Sequence, residues 1–244
     1  MDFKPSVFFE ALTSPAFIDG VRITITLTVV AMAFGLALGL VVALLRASPW
    51  APLRAAAWGY IWVFRAIPAL VWLLFVWDAL PQLLPAFKGD WFSAFAAATI
   101  ALSMNEAAYA AEVFRGGLLS IDEGQQLAAR ALGMSPSKVF TKVIAPQLIR
   151  VTIPPLSNDF ITMLKLTSLA SVISLQELLA RTQTLVASTF RFVEYFSAAA
   201  IYYLVLVSIF MVIQAQLERR FVWISRQPAG TSALSRVRQL AALR

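Results

Sequence analysis

Apolar and polar positions alternate along this chain in long blocks. The first apolar run, Val21 to Leu45, carries one charge, Arg22, near its start. At about 1.5 Å per residue it can cross a ~30 Å hydrocarbon core with some tilt. It ends in Leu45-Arg46-Ala47-Ser48-Pro49, not in the small-residue cleavage site of a secretory signal, so it reads as a retained span. Gly35 and Gly39, four residues apart, share one face of it and suit a close helix contact. A second run, Ala55 to Leu80, is interrupted by Arg65 and Pro68. A third covers Trp91 to Ala111, with Glu106 and Glu112 toward its end. A fourth, Thr152 to Leu175, opens on Pro154-Pro155 and carries Asp159 and Lys165. A fifth runs from Phe196 to Leu217 and stops at Glu218-Arg219-Arg220. The pattern predicts an all-α polytopic membrane protein with about five transmembrane helices.

Five crossings put the chain ends on opposite sides. One side receives Arg46, Arg54, the stretch from Arg115 to Arg150 with Lys138 and Lys142, and a tail with Arg219, Arg220 and Arg226; the other receives Lys4, Arg22, Lys88, Arg181 and Arg191. The denser positive side is expected to be cytoplasmic, placing the N-terminus outside and the C-terminus inside. Residues 1–226 then form one transmembrane domain with a loop at about 112–151, and 227–244 a mobile cytoplasmic tail.

That loop is the most informative polar segment. Ser120-Ile121-Asp122-Glu123 has capping-box spacing and predicts a helix start at Ser120. The helix continues through Gly124-Gln125-Gln126-Leu127-Ala128-Ala129 and ends at Gly133. Ser135-Pro136 predicts a second helix, running to about Ala145 and stopped by Pro146. Ala128 and Ala129 give a narrow surface able to enter a groove on another protein; an ordinary hairpin lying on the membrane is the alternative. Pro154-Pro155 predict disrupted hydrogen bonding and a bend at the mouth of the fourth span.

Composition narrows the chemistry. Only 14% of the 244 residues are charged, against about 25% in a soluble domain, and mean hydropathy is +0.77. The net charge of +7 resides at span ends and loops, as membrane orientation requires, so no nucleic-acid partner is expected. The chain has no Cys and no His, which removes disulfides, the usual zinc sites and imidazole-based nucleophilic catalysis. No enzyme activity and no metal site are expected. Trp50, Trp58, Trp62, Trp72, Trp77, Trp91 and Trp223 mostly fall near span ends, as an interfacial belt would.

The loop resembles the motif of permeases of ABC importers: Glu-Ala-Ala, three residues, Gly, nine residues, Ile, one residue, Leu-Pro. Ala128, Ala129, Gly133 and Pro146 stand at the matching places, while Leu127 replaces the usual Glu, Val143 the Ile and Ala145 the Leu. The literal Glu106-Ala107-Ala108 string fails the spacing, since Glu112 occupies its glycine position. Tyr109 to Gly117, Ser120-Ile121, Gly124-Gln125, Pro146-Gln147, Arg150, Pro154-Pro155, Asn158, Lys165 and Thr167-Ser168-Leu169 resemble the polar amino-acid permeases. Phe64-Arg65-Ala66-Ile67-Pro68 is similar to their Arg-Gly-Thr-Pro element. Glu106-Ala107-Ala108-Tyr109, Ser174-Leu175-Gln176-Glu177 and Arg181-Thr182 are closest to the glutamate/aspartate group.

The resemblance implies a type I ABC importer permease fold in a bacterial inner membrane. It implies a second permease subunit, identical or not, an ATPase dimer, and an external solute-binding protein delivering an amino-acid substrate. Gly124, Gln125, Leu127, Ala128, Ala129, Gly133 and Pro146 would form the coupling element. The chain has no phosphate-binding loop, so ATP and Mg belong to the partner ATPase and this chain binds no cofactor. Charges inside spans are costly and face protein or a water-filled path. Glu106, Asp159 and Lys165, with the hydroxyls of Thr167 and Ser168, either line the substrate path or fix helix packing. A passive channel or a membrane scaffold without an ATPase are the rival readings.

Overall fold

A computed structural model describes residues 3–221; the expected tail at 227–244 lies outside them. Eleven α-helices are assigned among these residues: α1 Pro5–Thr13, α2 Pro15–Arg46, α3 Ala51–Ala66, α4 Ala69–Leu74, α5 Leu80–Leu83, α6 Ala94–Leu119, α7 Glu123–Ala131, α8 Pro136–Val139, α9 Ala145–Leu166, α10 Leu178–Thr189 and α11 Phe192–Phe221. By length and apolarity α2 and α11 can each cross a membrane alone, and α3–α5 and α8–α10 can do so as bent pairs.

The fifth crossing is α6, and its composition explains its lower apolarity. Ala97, Ala98, Ala101, Ala107, Ala108, Ala110 and Ala111 are all buried, because α6 is packed against α2, α3, α4 and α9. In a bilayer such association rests on close van der Waals packing of small residues. The expected contact at Gly35 and Gly39 is present. A Cβ on Gly35 would stand 2.7 Å from Cβ of Glu106, and one on Gly39 would stand 2.7 Å from Cβ of Ala110. This register makes α2 and α6 parallel, so Arg46 and Leu119 lie at the same end as α7. Ser103 donates to the Ala31 carbonyl at 3.1 Å, and Tyr60 donates to the Met104 carbonyl at 2.7 Å, tying α2 and α3 to α6.

At the opposite end, α1 rests on α11: Glu194 accepts from the Lys4 backbone N–H at 2.9 Å, and Tyr202 donates to the Leu12 carbonyl at 2.7 Å. Since α11 runs from there back along α9, the two described chain ends lie at opposite ends of the bundle, as five crossings require.

Of the expected breaks one needs correction, and two take a form the sequence did not show. The second span is two helices meeting at 104°. Pro68 forces Ile67 into extended geometry (φ −96°, ψ 131°), which is what a residue before proline prefers. Pro146 does not stop a helix: the chain stays helical through it from Pro136 onward, and a five-residue π-helical turn from Phe140 to Ile144 stands just before it, a bulge of the kind inserted within α-helices. Pro154 and Pro155 lack N–H donors as expected, and α9 continues to Leu166 with both inside. Prolines are tolerated in spans whose neighbours re-satisfy the backbone.

The break in the fourth apolar segment comes later, at left-handed Ser174 (φ 64°), followed by α10 at 47°. Glu177 there is fully buried. Its carboxylate caps α10 by accepting from the N–H groups of Leu179 at 2.9 Å and Ala180 at 2.7 Å, and from the Tyr203 hydroxyl at 3.2 Å. Leu178 N–H donates to Thr24 Oγ1 at 3.3 Å. One buried carboxylate thus joins α10 to α11, beside a backbone contact to α2.

Candidate functional site

Two features combine chemistry with access: a polar cavity within the bundle and an exposed face on α7.

The cavity, of about 470 Å³, is lined by Arg65, the Ile67–Pro68 corner, Asn105, Glu106, Tyr109, Asp159 and Thr162, among others. The 104° break opens it, because α4 leaves the line of α3 and the corner leaves space beside α6 and α9. Glu106 is only 4% exposed, and its Oε1 has no hydrogen-bond partner among the described residues. An unpaired buried acceptor costs about 1–3 kcal/mol, so a cation or donor entering this cavity gains a ready partner. Arg65 lies with its guanidinium 5.3 Å from the Tyr109 ring centroid. The wall therefore carries two carboxyl groups and one guanidinium.

Of the expected path residues, Glu106 and Asp159 are brought together here. Lys165, Thr167 and Ser168 are not among those lining the cavity. Thr167 is buried and donates to the Leu164 carbonyl at 2.8 Å; Ser168 donates to the Lys165 carbonyl at 2.7 Å. Both hydroxyls bond back to their own turn, as short polar side chains in helices do. Lys165 is exposed and falls in line with exposed Asn158 and Thr162 along α9. Asn105 and Tyr109 escaped the sequence reading, although positions 105, 106 and 109 share a helix face by their spacing.

The α7 element differs from expectation in detail. Its cap is Asp122, whose Oδ1 accepts from Gly124 N–H at 2.7 Å, while Ser120 donates to the Gly117 carbonyl at 2.7 Å. Ser120 still belongs to the turn ending α6, so the helix starts after it. Gly133 ends α7 with φ +78°, where a residue with a side chain is strained. Ala128 and Ala129 do not share a surface. Ala129 is buried against the following turn, whose Met134 N–H donates to the Ala129 carbonyl at 3.2 Å. Successive helical residues point about 100° apart, so Ala128 faces out instead with Gly124, Leu127 and Ala131. Leu127 is 65% exposed, and Leu132 just beyond is 83% exposed. The free face is a small-residue stripe edged by two leucines. Gln125 ties α7 to α9, its Oε1 accepting from Gln147 Nε2 at 2.6 Å.

Comparison with known proteins agrees with this architecture. Residues 16–223 match the family described as binding-protein-dependent transport system inner membrane component. The chain is 38% identical to the arginine transport system permease protein ArgU of Corynebacterium glutamicum, over 90% of this chain and 71% of that protein. It is 36% identical to the glutamine transport system permease protein GlnP of Escherichia coli, over 90% and 98%. A solved amino acid ABC transporter with histidines superposes with a TM-score of 0.81 at 35% identity, over 90% of this chain and all of that one. The five-crossing bundle with its α7 hairpin is therefore that of its relatives, and the chain belongs to the family of binding-protein-dependent transport system inner membrane components.

Proposed function

We propose that this chain is the membrane subunit of an ATP-driven importer of polar amino acids, working by alternating access in a bacterial inner membrane. The observation that carries the amino-acid reading is the cavity in which Glu106, Asp159 and Arg65 face one space. A zwitterionic amino acid offers an ammonium to the two carboxyl groups and a carboxylate to the guanidinium. The names of relatives that carry arginine, glutamine and octopine support the same class. A glutamate or aspartate cargo finds less support, because its second carboxylate meets a wall already holding two acids. It would need a cation supplied by the facing subunit.

A second permease subunit, a copy of this chain or a homologue, closes the path. The exposed stripe Asn158, Thr162 and Lys165 on α9 is too polar to face hydrocarbon, and a facing protein wall would cover it and bring Lys165 to the path. The α7 stripe seats in a groove on the ATPase dimer, which holds ATP and Mg; Gly124, Leu127 and Ala128 touch it, Gln125 passes the motion on, and Ala129, Gly133 and Pro146 shape the hairpin. On this reading α7 is cytoplasmic, the N-terminus lies outside and the C-terminus inside, and an external binding protein delivers cargo at the α1 end.

The test is uptake by vesicles holding the full importer, from a mixture of the twenty labelled amino acids, before and after Asp159→Asn. The reading expects selective uptake of polar members and a fall of tenfold or more in the variant, with the ATPase still bound. Uptake that needs no ATPase would favour a passive channel, and none at all a scaffold.

A further inference from the structure

On the α7 side of the cargo cavity lies a second one, of about 500 Å³, lined by Arg46, Trp58, Trp62, Arg65, Glu112 and Arg115 among others. Its charge balance is unusual. Three guanidiniums share it with one carboxylate, and that carboxylate is committed, since Arg115 bonds Glu112 Oε2 at 2.7 Å. Among the described residues Arg46 forms no ion pair, and its buried Nε has no hydrogen-bond partner. Three cations facing one space with a single carboxylate between them are only partly neutralised, so an oxyanion entering it relieves the remaining repulsion and satisfies an orphan donor. The two cavities are contiguous: Arg65, Ala66 and Tyr109 line both, and Arg65 packed on Tyr109 stands at their junction.

We propose that the second cavity is an exit subsite for the cargo's α-carboxylate. Arg65 holds that carboxylate in the upper cavity; Arg46, deeper toward α7, receives it next, while the ammonium leaves Glu106 and Asp159. The inference rests on the cargo reading of the upper cavity and adds a station beyond it. Exposed Trp58 and Trp62, stacked with ring centroids 6.0 Å apart, make a lipid phosphate the competing source of an oxyanion, but the shared Arg65 ties the cavity to the path.

The probe is the labelled amino acid that wild-type vesicles take up, titrated against the nucleotide-free complex of permease and ATPase subunits without the binding protein, with uptake by the full importer measured in parallel. Two molecules per permease chain are expected, the second binding at least tenfold more weakly. Arg46→Gln and Arg46→Met are expected to abolish only the weak site and to slow uptake tenfold or more, with the tight affinity within twofold of wild type. Asp159→Asn is expected to remove the tight site and spare the weak one. One molecule per wild-type chain overturns the exit subsite whatever the variants do. So does unchanged uptake in both Arg46 variants. If wild type and variants become equal in vesicles of phosphatidylcholine alone and differ only with phosphatidylglycerol, the cavity holds lipid phosphate and the proposal falls. A tight site surviving Asp159→Asn would instead sink the cargo reading of the upper cavity.

Discussion

Gln147 donates from Nε2 to Oε1 of Gln125 at 2.6 Å and to the Val143 carbonyl at 2.8 Å, and so fastens α7 to the first turn of α9. Among the described residues it is the side-chain hydrogen bond that joins the exposed hairpin to the helix carrying Asp159. A neutral pair of this kind contributes about 0.5–1.5 kcal/mol, and less in the open position Gln125 occupies. On the proposed mechanism its weight is mechanical: a push on α7 reaches α9 through it as well as through the continuous helix that begins at Pro136.

Gln147→Leu is therefore expected to leave folding and ATPase binding intact while the ATP hydrolysed per amino acid carried rises severalfold. The double variant with Gln125→Leu should be no worse than either single change, because the two residues share one bond. Additive losses in coupled hydrolysis and uptake assays would mean that they act separately.

Packing of α2 on α6 gives a second expectation. Gly39→Leu forces a side chain into a space where even Cβ would meet Ala110 at 2.7 Å. Overpacking costs about 1–3 kcal/mol, occasionally more, and here it also separates the two central helices. Thermal unfolding of the purified complex should show a marked fall. Gly59→Ala, where an added Cβ meets nothing within 4 Å, should be neutral or stabilising by up to about 1 kcal/mol through helix propensity.

Glu177 separates structure from specificity. Its carboxylate caps α10 and accepts from Tyr203, so Glu177→Ala is expected to destabilise the protein by about 1–3 kcal/mol, the range for leaving a buried donor unpaired, without changing which amino acid is taken up. Tyr203→Phe should do less harm. A stable Glu177→Ala protein with altered cargo preference would instead give this residue a part in specificity.

The five crossings were legible because each hydrocarbon-facing run must be apolar whatever surrounds it, and Gly133 was legible because its φ of +78° favours glycine. What escaped depends on partners distant in sequence. Pro68 announced an interruption, but only the packing of α4 on α6 turned it into a corner of 104°. Pro154 and Pro155 predicted disrupted hydrogen bonding, but local rules do not show that α9 runs on past them to Leu166. Ser120 lost the cap to Asp122 because the last turn of α6 claimed it. Lys165, Thr167 and Ser168 were grouped with Glu106 by polarity; the rotation of α9 brings Asp159 to the cavity and leaves those three off its wall.

The most direct test is Leu127→Arg with Ala128→Arg in the full complex, scored by ATPase co-purification and amino-acid uptake. Both residues are exposed, so the fold should survive, and the account predicts a detached ATPase or uptake reduced at least tenfold per ATP hydrolysed. Wild-type uptake with the ATPase still bound would contradict α7 as the coupling surface, and with it the mechanism built on that surface.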